Sequence, residues 1–308
     1  QKICTANIKN EIGKCTYTNM LNENAGIETD LTVVCLDKNY FRIISSAVVR
    51  THDKAHILKH LSQDVEFKDV TDDLICLGVF GPKSRDLLSQ ITNEDLTNEN
   101  FKFGNSKYIK LGSLNVWAQR LSFVGELGFE LYVENLYGKD LYKLILNSGK
   151  KFNISHCGAH TMDTMRMESG FLHWGHDITP EENQYQAGLN FAISYKKPFN
   201  FIGKEKLLKI KDKKQDKRLV MLCLKNSKPG YPLLLHEEPI YLNNKIIGKT
   251  TSGNYSFNYN KNISFGYINS KLSNTELNDL GLFVKIEKQK FQANILFKPL
   301  KQSNFKKI

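Results

Sequence analysis

The chain has 308 residues, of which 41% are hydrophobic and 24% charged, and it carries a net charge of +11. This length allows two or three domains with cores of their own. No apolar run reaches the roughly 18 residues that a transmembrane helix needs, so we expect no membrane association. The six cysteines lie far apart and form no Cys-x-x-Cys pair. This spacing argues against a disulfide framework or a structural metal site, and it indicates the cytoplasm or, as the alternative, the mitochondrial matrix.

Most of the net charge lies in one segment. Between residues 196 and 218, ten lysines and arginines are accompanied by only three acids. A solvated helix followed by a lysine-rich linker is one interpretation, and electrostatic attraction of an anionic ligand is the other. No aromatic-interleaved basic motif accompanies the charge, so we do not expect nucleic-acid binding.

The predicted elements, in chain order, begin with strands interleaved with helices. β-branched and alternating apolar runs predict strands at 30–36, 40–45, 65–70, 74–80, 114–123 and 128–133. Helical spacing predicts helices at 50–61, 81–91, 136–146 and 160–169. After a lysine-rich linker at 211–217, short strands separated by turns indicate a small all-β unit, with strands at 219–224, 245–251, 263–268 and 283–287. The predicted class is α+β with antiparallel sheets.

The helix predicted at 50–61 has two distinguishable faces. Its apolar residues are available for the buried side, and these are Ala55, Leu58 and Leu61. Its three histidines recur every fourth residue and therefore share a face, and these are His52, His56 and His60. With lysines nearby and no evident carboxylate ligand, we interpret that face as exposed and polar rather than as a metal site.

The segment 124–130 joins two apolar strands through a turn containing Gly125 and Gly128, and it places Glu130 on the second strand. Because strand side chains alternate, Glu130 is expected on the face opposite Phe129. A carboxylate there can accept two donors from a guanidine-like edge, such as the 2-amino-4-oxo edge of a pterin. Considered alone, the segment is more typical of a hairpin with exposed acids.

Two further segments could carry chemistry. Asp30 stands at the entry to a hydrophobic strand, where a carboxylate is costly unless it is hydrogen-bonded or used; an ordinary strand-start acid is the alternative. The stretch 166–177 brings histidines, Trp174 and glycines to a helix exit, which could line a pocket or simply pack. No G-x-G-x-x-G occurs, and the G-K-T at 248–250 lacks the preceding glycine of a G-x-x-x-x-G-K-[ST] phosphate loop. The sequence therefore predicts no dinucleotide or phosphate-loop site.

Taken together and in this order, the segments resemble the glycine-cleavage T-protein (aminomethyltransferase) superfamily. Within it, the chain is most similar to the C-terminal folate-binding part of sarcosine and dimethylglycine dehydrogenases. The resemblance covers nearly the whole chain and is carried by six stretches: YTNMLNENAGIETDLTV (17–33), GVFGPKSR (78–85), RLSFVGELGFELYV (120–133), GFLHWGHDITPEENQYQAGLNF (170–191), FIGKEKL (201–207) and IIGKTTSGNYS (246–256).

The resemblance implies a three-lobed, folate-binding α+β fold with antiparallel sheets and a C-terminal β-barrel or jelly-roll-like domain. The implied first domain combines 1–49 with 136–214 and is truncated at its N-terminus. The second, inserted domain runs over 50–135, and the closing β domain over 215–308.

The same resemblance assigns roles to individual residues. Asp30 is the expected catalytic acid beside the folate nitrogens, where it orients N10 and can deprotonate it. Glu130 is the expected pterin anchor, and Thr32 lies on the same strand face as Asp30. The other residues expected to contact folate are Tyr17, Phe123, Arg166 and Trp174.

The implied reaction is capture of an iminium or formaldehyde equivalent by tetrahydrofolate, which gives 5,10-methylenetetrahydrofolate. The expected partners are folate, with or without a polyglutamate tail, and a methylated glycine-derived amine that is oxidised by an FAD-containing domain. Because Thr5–Ile8 matches a point already inside the first folate domain of relatives, we expect this chain to be a fragment that lacks the upstream FAD domain.

Three positions depart from the superfamily pattern, and one of them, Gln184 in place of the usual proline, is expected to affect only a loop. Phe123 stands where many relatives carry a tyrosine, and Met162 stands where T-proteins place an arginine associated with the folate tail. Met162 favours the dehydrogenase branch over a free-standing T-protein-type aminomethyltransferase, which is the first alternative. A non-catalytic regulatory relative is the second alternative, and the presence of Asp30 and Glu130 weighs against it.

Overall fold

A computed structural model describes residues 1–277, 281–301 and 306. The described residues form two compact units. The first, here called the barrel unit, combines Gln1–Thr5, Asn19–Thr29 and the described residues from Gly158 to Lys301. The second, here called the sheet unit, combines Ala6–Thr18, Asp30–Cys157 and Lys306. The three-domain division expected from the resemblance stays a prediction.

The described elements follow one another along the chain as strands, α-helices and short 3-10 helices. The strands are β1 (Cys15–Leu21), β2 (Ile27–Asp37), β3 (Tyr40–Ile44), β4 (Leu74–Phe80), β5 (Ser106–Leu111), β6 (Leu114–Gln119), β7 (Gly128–Glu134), β8 (Lys217–Leu224), β9 (Pro239–Leu242), β10 (Lys245–Ser256), β11 (Lys261–Asn269), β12 (Leu282–Ile286) and β13 (Gln289–Leu296). The α-helices are α1 (Arg50–Lys59), α2 (Ser84–Leu88), α3 (Gly138–Gly149), α4 (Ala159–Glu168), α5 (Lys204–Ile210) and α6 (Asn274–Leu277). The 3-10 helices are Ala47–Val49, Thr71–Asp73, Asn135–Tyr137, Lys150–Phe152 and Asn190–Ala192.

The sheet unit is built on a four-stranded antiparallel sheet with the strand order β4-β7-β6-β5. One face of this sheet buries Phe129, Leu131 and Val133 of β7 in a hydrophobic core that also contains residues of α2 and α3. Because side chains alternate along a strand, Glu130 and Tyr132 lie on the opposite face. The placement of Glu130 opposite Phe129, predicted from the sequence, is confirmed.

A second sheet, with three strands in the order β1-β2-β3, carries the predicted site residues Tyr17, Asp30 and Thr32. In β2, the buried residues Leu31 and Val33 alternate with the half-buried Asp30 and Thr32. The sequence placed Asp30 at the start of this strand, but β2 begins at Ile27, because the alternation of buried and less buried side chains extends back that far. Asp30 therefore lies inside a strand, where its direction is fixed by the pleat.

The C-terminal part of the barrel unit is a closed six-stranded barrel with the order β10-β11-β8-β13-β12-β9. Its interior is filled by apolar side chains, among them Leu222, Ile240, Val284 and Ile295. The small all-β unit predicted after the lysine-rich linker is thus confirmed, and so are the α+β class and its antiparallel sheets. No helix among the described residues is long and apolar enough to cross a membrane.

Helix α1 forms where it was predicted, but the predicted burial of its faces was wrong. Ala55 and Leu58 are exposed, whereas Asp53 and Ile57 are buried. The three histidines lie on the more buried side, and the rings of His56 and His60 pack edge to face with centroids 4.9 Å apart. Hydrophobicity alone identified the wrong face because the helix buries a polar side chain, Asp53, that makes that face look solvent-exposed.

Three further predicted elements were inaccurate. No strand forms at 65–70, where half of the residues are exposed and Asp69 is bound to Arg50. The helix predicted at 81–91 is the short α2, and the strand predicted to reach Phe123 ends at Gln119. After Gln119 the backbone of Arg120 still bonds Asn105, but the following residues enter the loop that leads to Gly128.

Candidate functional site

The first site feature in the sheet unit is a hydrogen bond between neighbouring residues of β1 and β2. The Tyr17 hydroxyl donates to Oδ2 of Asp30 over 3.1 Å. Asp30 is half-buried, while Tyr17 is exposed. Burial raises the pKa of Asp30 to about 6; the bond from Tyr17 lowers it in part, and the negative charge of Asp53 raises it further. Asp30 therefore changes protonation close to neutral pH, as a group that accepts and releases protons should.

Asp53 is the buried residue whose negative charge raises the pKa of Asp30. It lies in the first turn of α1 with only 3% of its surface exposed. Its Oδ1 is 3.2 Å from Nδ1 of His52. Its Oδ2 is buried and has no hydrogen-bond partner among the described residues. Sequence reasoning considered only the histidines of this helix and missed Asp53.

Glu130 and Tyr132 form the second feature, on β7. The Tyr132 hydroxyl donates to Oε2 of Glu130 over 2.9 Å. No described residue donates to the other carboxylate oxygen, Oε1. Burial raises the pKa of Glu130, while the bond from Tyr132 opposes the rise. Burial, followed by the negative charge of Glu130, raises the pKa of Tyr132 well above its usual range, so the phenol stays a donor.

Gln119 lies directly opposite Glu130 in the register of β6 and β7, and therefore on the same face of the sheet. It is fully buried, and its Oε1 accepts the Cys15 thiol over 3.3 Å. Its Nε2 is buried and unpartnered within the described part of the chain. A spare acceptor on Glu130 thus stands beside a spare donor on Gln119. Sequence reasoning missed Gln119, since only the strand register brings it to Glu130.

Thr32 and Phe123 also belong to the sheet unit. Thr32 follows Asp30 by one strand repeat, is half-buried and pairs with Ile44 of β3. Phe123 is half-buried in the loop between β6 and β7. Their predicted folate contacts stay predictions.

Arg166 belongs to the barrel unit, on α4, and it is almost fully buried. It forms ion pairs with Asp163 and with the fully buried Asp177. It also donates to the carbonyl of Phe171 and, over 2.8 Å, to the hydroxyl of Ser252. All three guanidinium nitrogens are therefore engaged by protein atoms, and the predicted folate contact of Arg166 stays a prediction.

Trp174 is a partly buried residue of the same unit, and its indole nitrogen donates to the carbonyl of Ile27 over 2.9 Å. The ring centroids of His173 and His176 lie 4.8 Å apart, and burial followed by the charge of Arg166 lowers the pKa of His173. In the described residues, no group of three or more His, Cys, Asp or Glu side chains is arranged to hold a metal ion.

The fold described above matches the aminomethyltransferase fold. The GCVT N-terminal domain family matches residues 1–197, and the glycine cleavage T-protein C-terminal barrel domain family matches residues 217–301. The chain belongs to this GCVT family, which confirms the resemblance recognised from its motifs.

Individual relatives agree with the family assignment. Human mitochondrial dimethylglycine dehydrogenase is 34% identical over 300 residues, which cover 96% of this chain and 34% of the dehydrogenase. The chain thus spans about a third of the length of that relative. An aminomethyltransferase of Caldanaerobacter subterraneus is 31% identical over 94% of this chain and 76% of its own. The crystal structure of the glycine cleavage system aminomethyltransferase T from Bartonella henselae has the same fold, with a TM-score of 0.81, 21% identity and coverage of 98% of this chain and 80% of that one.

Proposed function

We propose that the chain binds tetrahydrofolate in its sheet unit and transfers one-carbon groups as a tetrahydrofolate-dependent transferase. The observation that carries this proposal is Asp30, a half-buried carboxyl group that is held by Tyr17 and has a pKa of about 6. A carboxylate with this pKa is ionised at neutral pH, yet it is basic enough to take a proton from a weakly basic arylamine. Family membership gives the ligand class that such a group would serve.

The polar groups around Glu130 fit the folate head group. A 2-amino-4-oxo pyrimidine edge presents adjacent N–H donors and one carbonyl acceptor. Glu130 offers the acceptor Oε1, and Gln119 offers an unpartnered donor on the same face. An unpartnered buried donor costs free energy in the empty protein, and a ligand acceptor would recover it. This fit supports Glu130 as the pterin anchor and adds Gln119 to the predicted set.

Each of these residues has a separate role in the proposed reaction. N5 and N10 of tetrahydrofolate each form a bond to the one-carbon unit, and the bonds from that carbon to the donor nitrogen (or to the formaldehyde oxygen) break. The donor leaves as the free amine (or as water) and carries away the two protons displaced from N5 and N10. Glu130 fixes the ring end of the ligand, and Asp30 orients N10 and accepts its proton. Tyr17 holds the Asp30 carboxyl in one orientation and keeps it largely ionised at neutral pH. Most of the rate gain comes from this fixed orientation of the reactants.

The specific reaction we propose is formation of 5,10-methylenetetrahydrofolate from an iminium or formaldehyde equivalent, as in the dehydrogenase branch. The similarity to human dimethylglycine dehydrogenase over 96% of this chain supports it. The methylated amine and the FAD domain that oxidises it are proposals, because the matched region is only about a third of that relative. Human dimethylglycine dehydrogenase is a mitochondrial protein by its name, and this favours the mitochondrial matrix over the cytoplasm as the compartment of this chain.

Isothermal titration calorimetry with tetrahydrofolate under anaerobic conditions tests the folate site. Glu130→Gln removes the acceptor charge and should weaken binding by at least tenfold, since a hydrogen bond to a charged group contributes about 1.5–3 kcal/mol. Glu134→Gln is the matched control, because Glu134 is an exposed glutamate two strand repeats further along β7. Failure of the wild-type chain to bind tetrahydrofolate, or equal binding by the Glu130→Gln and wild-type proteins, would contradict the proposal.

A product assay tests the chemistry separately. The chain is mixed with tetrahydrofolate and an enzymatically generated N-methyl iminium donor, and 5,10-methylenetetrahydrofolate is followed by chromatography. We expect product formation to depend on Asp30 and to be lost in Asp30→Asn, while Asp37→Asn, at the exposed far end of β2, remains active. An Asp30→Asn variant as active as the wild type would rule out the catalytic role of Asp30.

A further inference from the structure

The aromatic ring of Phe80 lies on the same face of the sheet as Glu130. Gly78 of β4 is paired in register with Glu130 of β7, and Phe80 is paired with Gly128. Residues directly opposite each other in an antiparallel pair project to the same side. Gly78, Phe80, Gly128 and Glu130 therefore occupy one corner of the sheet, on the side away from the hydrophobic core.

The two glycines make room for the ring. A methyl group added at Gly78 would lie 2.4 Å from Cε2 of Phe80, and one added at Gly128 would lie 2.3 Å from Cδ1. Real carbon atoms do not approach so closely, so the ring occupies the volume that two side chains would otherwise fill. The ring therefore lies over both glycines, on the same face of the sheet as the side chain of Glu130.

In this position part of the Phe80 ring is exposed and can contact a ligand. Phe80 is only half-buried, whereas Phe129, its neighbour on the opposite face of the sheet, is fully buried in the core. The Phe80 ring is held in place by its packing and is partly exposed. On the same face of the sheet, Oε1 of Glu130 can accept a further hydrogen bond. Together they provide an apolar surface and a hydrogen-bond acceptor at one corner of the sheet. Such a corner suits a flat heteroaromatic ring that carries N–H donors along one edge.

We propose that Phe80 is a further ligand-contacting residue of the folate site: its ring packs against the pyrimidine half of the pterin while Glu130 binds the N–H donors of the same half. The inference rests on the proposed function and extends it to a residue of the stretch 78–85 to which the family resemblance assigned no role. Packing against Phe80 fixes the plane of the ligand ring, and the bonds to Glu130 fix its rotation within that plane.

Two variants test the role of Phe80 by different routes. Phe80→Leu keeps an apolar side chain but removes the aromatic surface. Gly78→Ala keeps Phe80 and displaces its ring, since the three atoms nearest to the added carbon all belong to Phe80. Gly78 is a strand residue outside the left-handed region, so alanine causes no backbone strain there. The matched controls are Phe152→Leu, which removes a half-buried ring packed on the core of the same unit, and Gly158→Ala, where an added carbon meets no atom within 4 Å.

The readouts are the dissociation constant of tetrahydrofolate from calorimetry and ligand-induced NMR shifts of the Phe80 ring in ¹³C-phenylalanine-labelled protein. We expect each test variant to weaken binding about tenfold, the usual effect of losing one aromatic stacking partner. We expect the double variant Gly78→Ala/Phe80→Leu to bind no more weakly than Phe80→Leu, because the displaced ring is then absent. Unchanged far-ultraviolet circular dichroism verifies folding, and Gly78→Ala carries the test if Phe80→Leu does not fold.

The outcomes separate this inference from the proposed function. If the wild type binds tetrahydrofolate and Glu130→Gln weakens binding, but Phe80→Leu and Gly78→Ala bind within twofold of the wild type and the Phe80 ring does not shift, the inference is overturned and the folate site stands. If the wild type does not bind tetrahydrofolate, both are overturned. Weakening by both test variants and by neither control establishes the contact.

Discussion

The Tyr17 hydroxyl lies 3.1 Å from Oδ2 of Asp30, and this bond opposes the effect of burial on the Asp30 carboxyl. A second group, Asp53, acts on the same carboxyl in the other direction, because its charge makes ionisation of Asp30 harder. The pKa of Asp30, which burial raises most, is thus adjusted in opposite directions by one exposed phenol and one buried carboxyl. This opposition makes the proposed catalytic acid testable without its ligand.

Replacing Tyr17 with phenylalanine removes a hydrogen bond that favours the ionised form of Asp30. We therefore expect the pKa of Asp30, about 6 in the wild type, to rise in Tyr17→Phe. The measurement is a pH titration of the side-chain carboxyl carbon by ¹³C NMR, with the Asp30 signal identified by its loss in Asp30→Asn. Tyr40→Phe, at an exposed tyrosine of β3, serves as the control and should leave that titration unchanged. A pKa of Asp30 that does not rise in Tyr17→Phe would contradict the assigned role of Tyr17.

Replacing Asp53 with asparagine should have the opposite effect. The variant removes a buried negative charge, so ionisation of Asp30 becomes easier and its pKa should fall below about 6. The same NMR titration measures the change. A general loosening of the structure would move the pKa of Asp30 in the same direction in both variants, whereas the electrostatic account requires a rise in one and a fall in the other.

The raised pKa of Asp30 also predicts how stability depends on pH. The folded-state pKa of about 6 exceeds the ordinary aspartate pKa of 3.8, so the folded protein holds this proton more tightly than the unfolded chain does. The stabilising contribution is complete below about pH 3.8 and is lost as the pH rises through about 6. The Asp30→Asn variant has no carboxyl group at this position, so its stability does not fall in this way as the pH rises. Relative to the wild type, the variant should gain roughly 1–3 kcal/mol in free energy of unfolding between about pH 4 and pH 7.

Urea unfolding at several pH values, followed by circular dichroism, measures this difference. Asp37→Asn is the control, because Asp37 is an exposed carboxyl at the other end of the same strand. A difference between Asp30→Asn and the wild type that is constant across this pH range would mean that Asp30 does not titrate as described.

The sequence predicted the parts of the site that depend on local pattern. Alternation along one strand placed Glu130 opposite Phe129, and a carboxylate within an apolar run marked Asp30. Both inferences need only a strand period of two residues. The assignment of the fold rested on six motifs in order, and the family matches confirm it.

The residues that sequence reasoning missed depend on contacts between distant segments. Gln119 and Phe80 gain their importance from strand register, which brings them to Glu130 and Gly128 of β7. Asp53 lies among polar residues, a pattern that predicts an exposed helix face, and only tertiary packing buries it. Gly78 and Gly128, each on a predicted strand, were the sequence signal that could have pointed to space for the Phe80 ring.

Arg166 offers a final prediction that distinguishes a structural role from ligand binding. It pairs with Asp177, and both side chains are almost completely buried. Arg166→Met leaves the Asp177 charge buried without its cation, which costs about 3–5 kcal/mol in proteins. Asp177 keeps its bond from the Thr251 hydroxyl, 2.6 Å away, which offsets only part of this cost. We therefore expect a large fall in the urea midpoint of Arg166→Met.

The control is Lys249→Met, since the Lys249–Glu237 ion pair lies 2.8 Å apart with both side chains more than half exposed. Exposed pairs contribute at most about 1 kcal/mol, so this variant should unfold close to the wild type. If Arg166→Met instead unfolds like the control but binds tetrahydrofolate much more weakly, the buried network is not what keeps Arg166 in place, and the folate contact implied by the family resemblance gains direct support. The two measurements together therefore assign Arg166 to the fold or to the ligand.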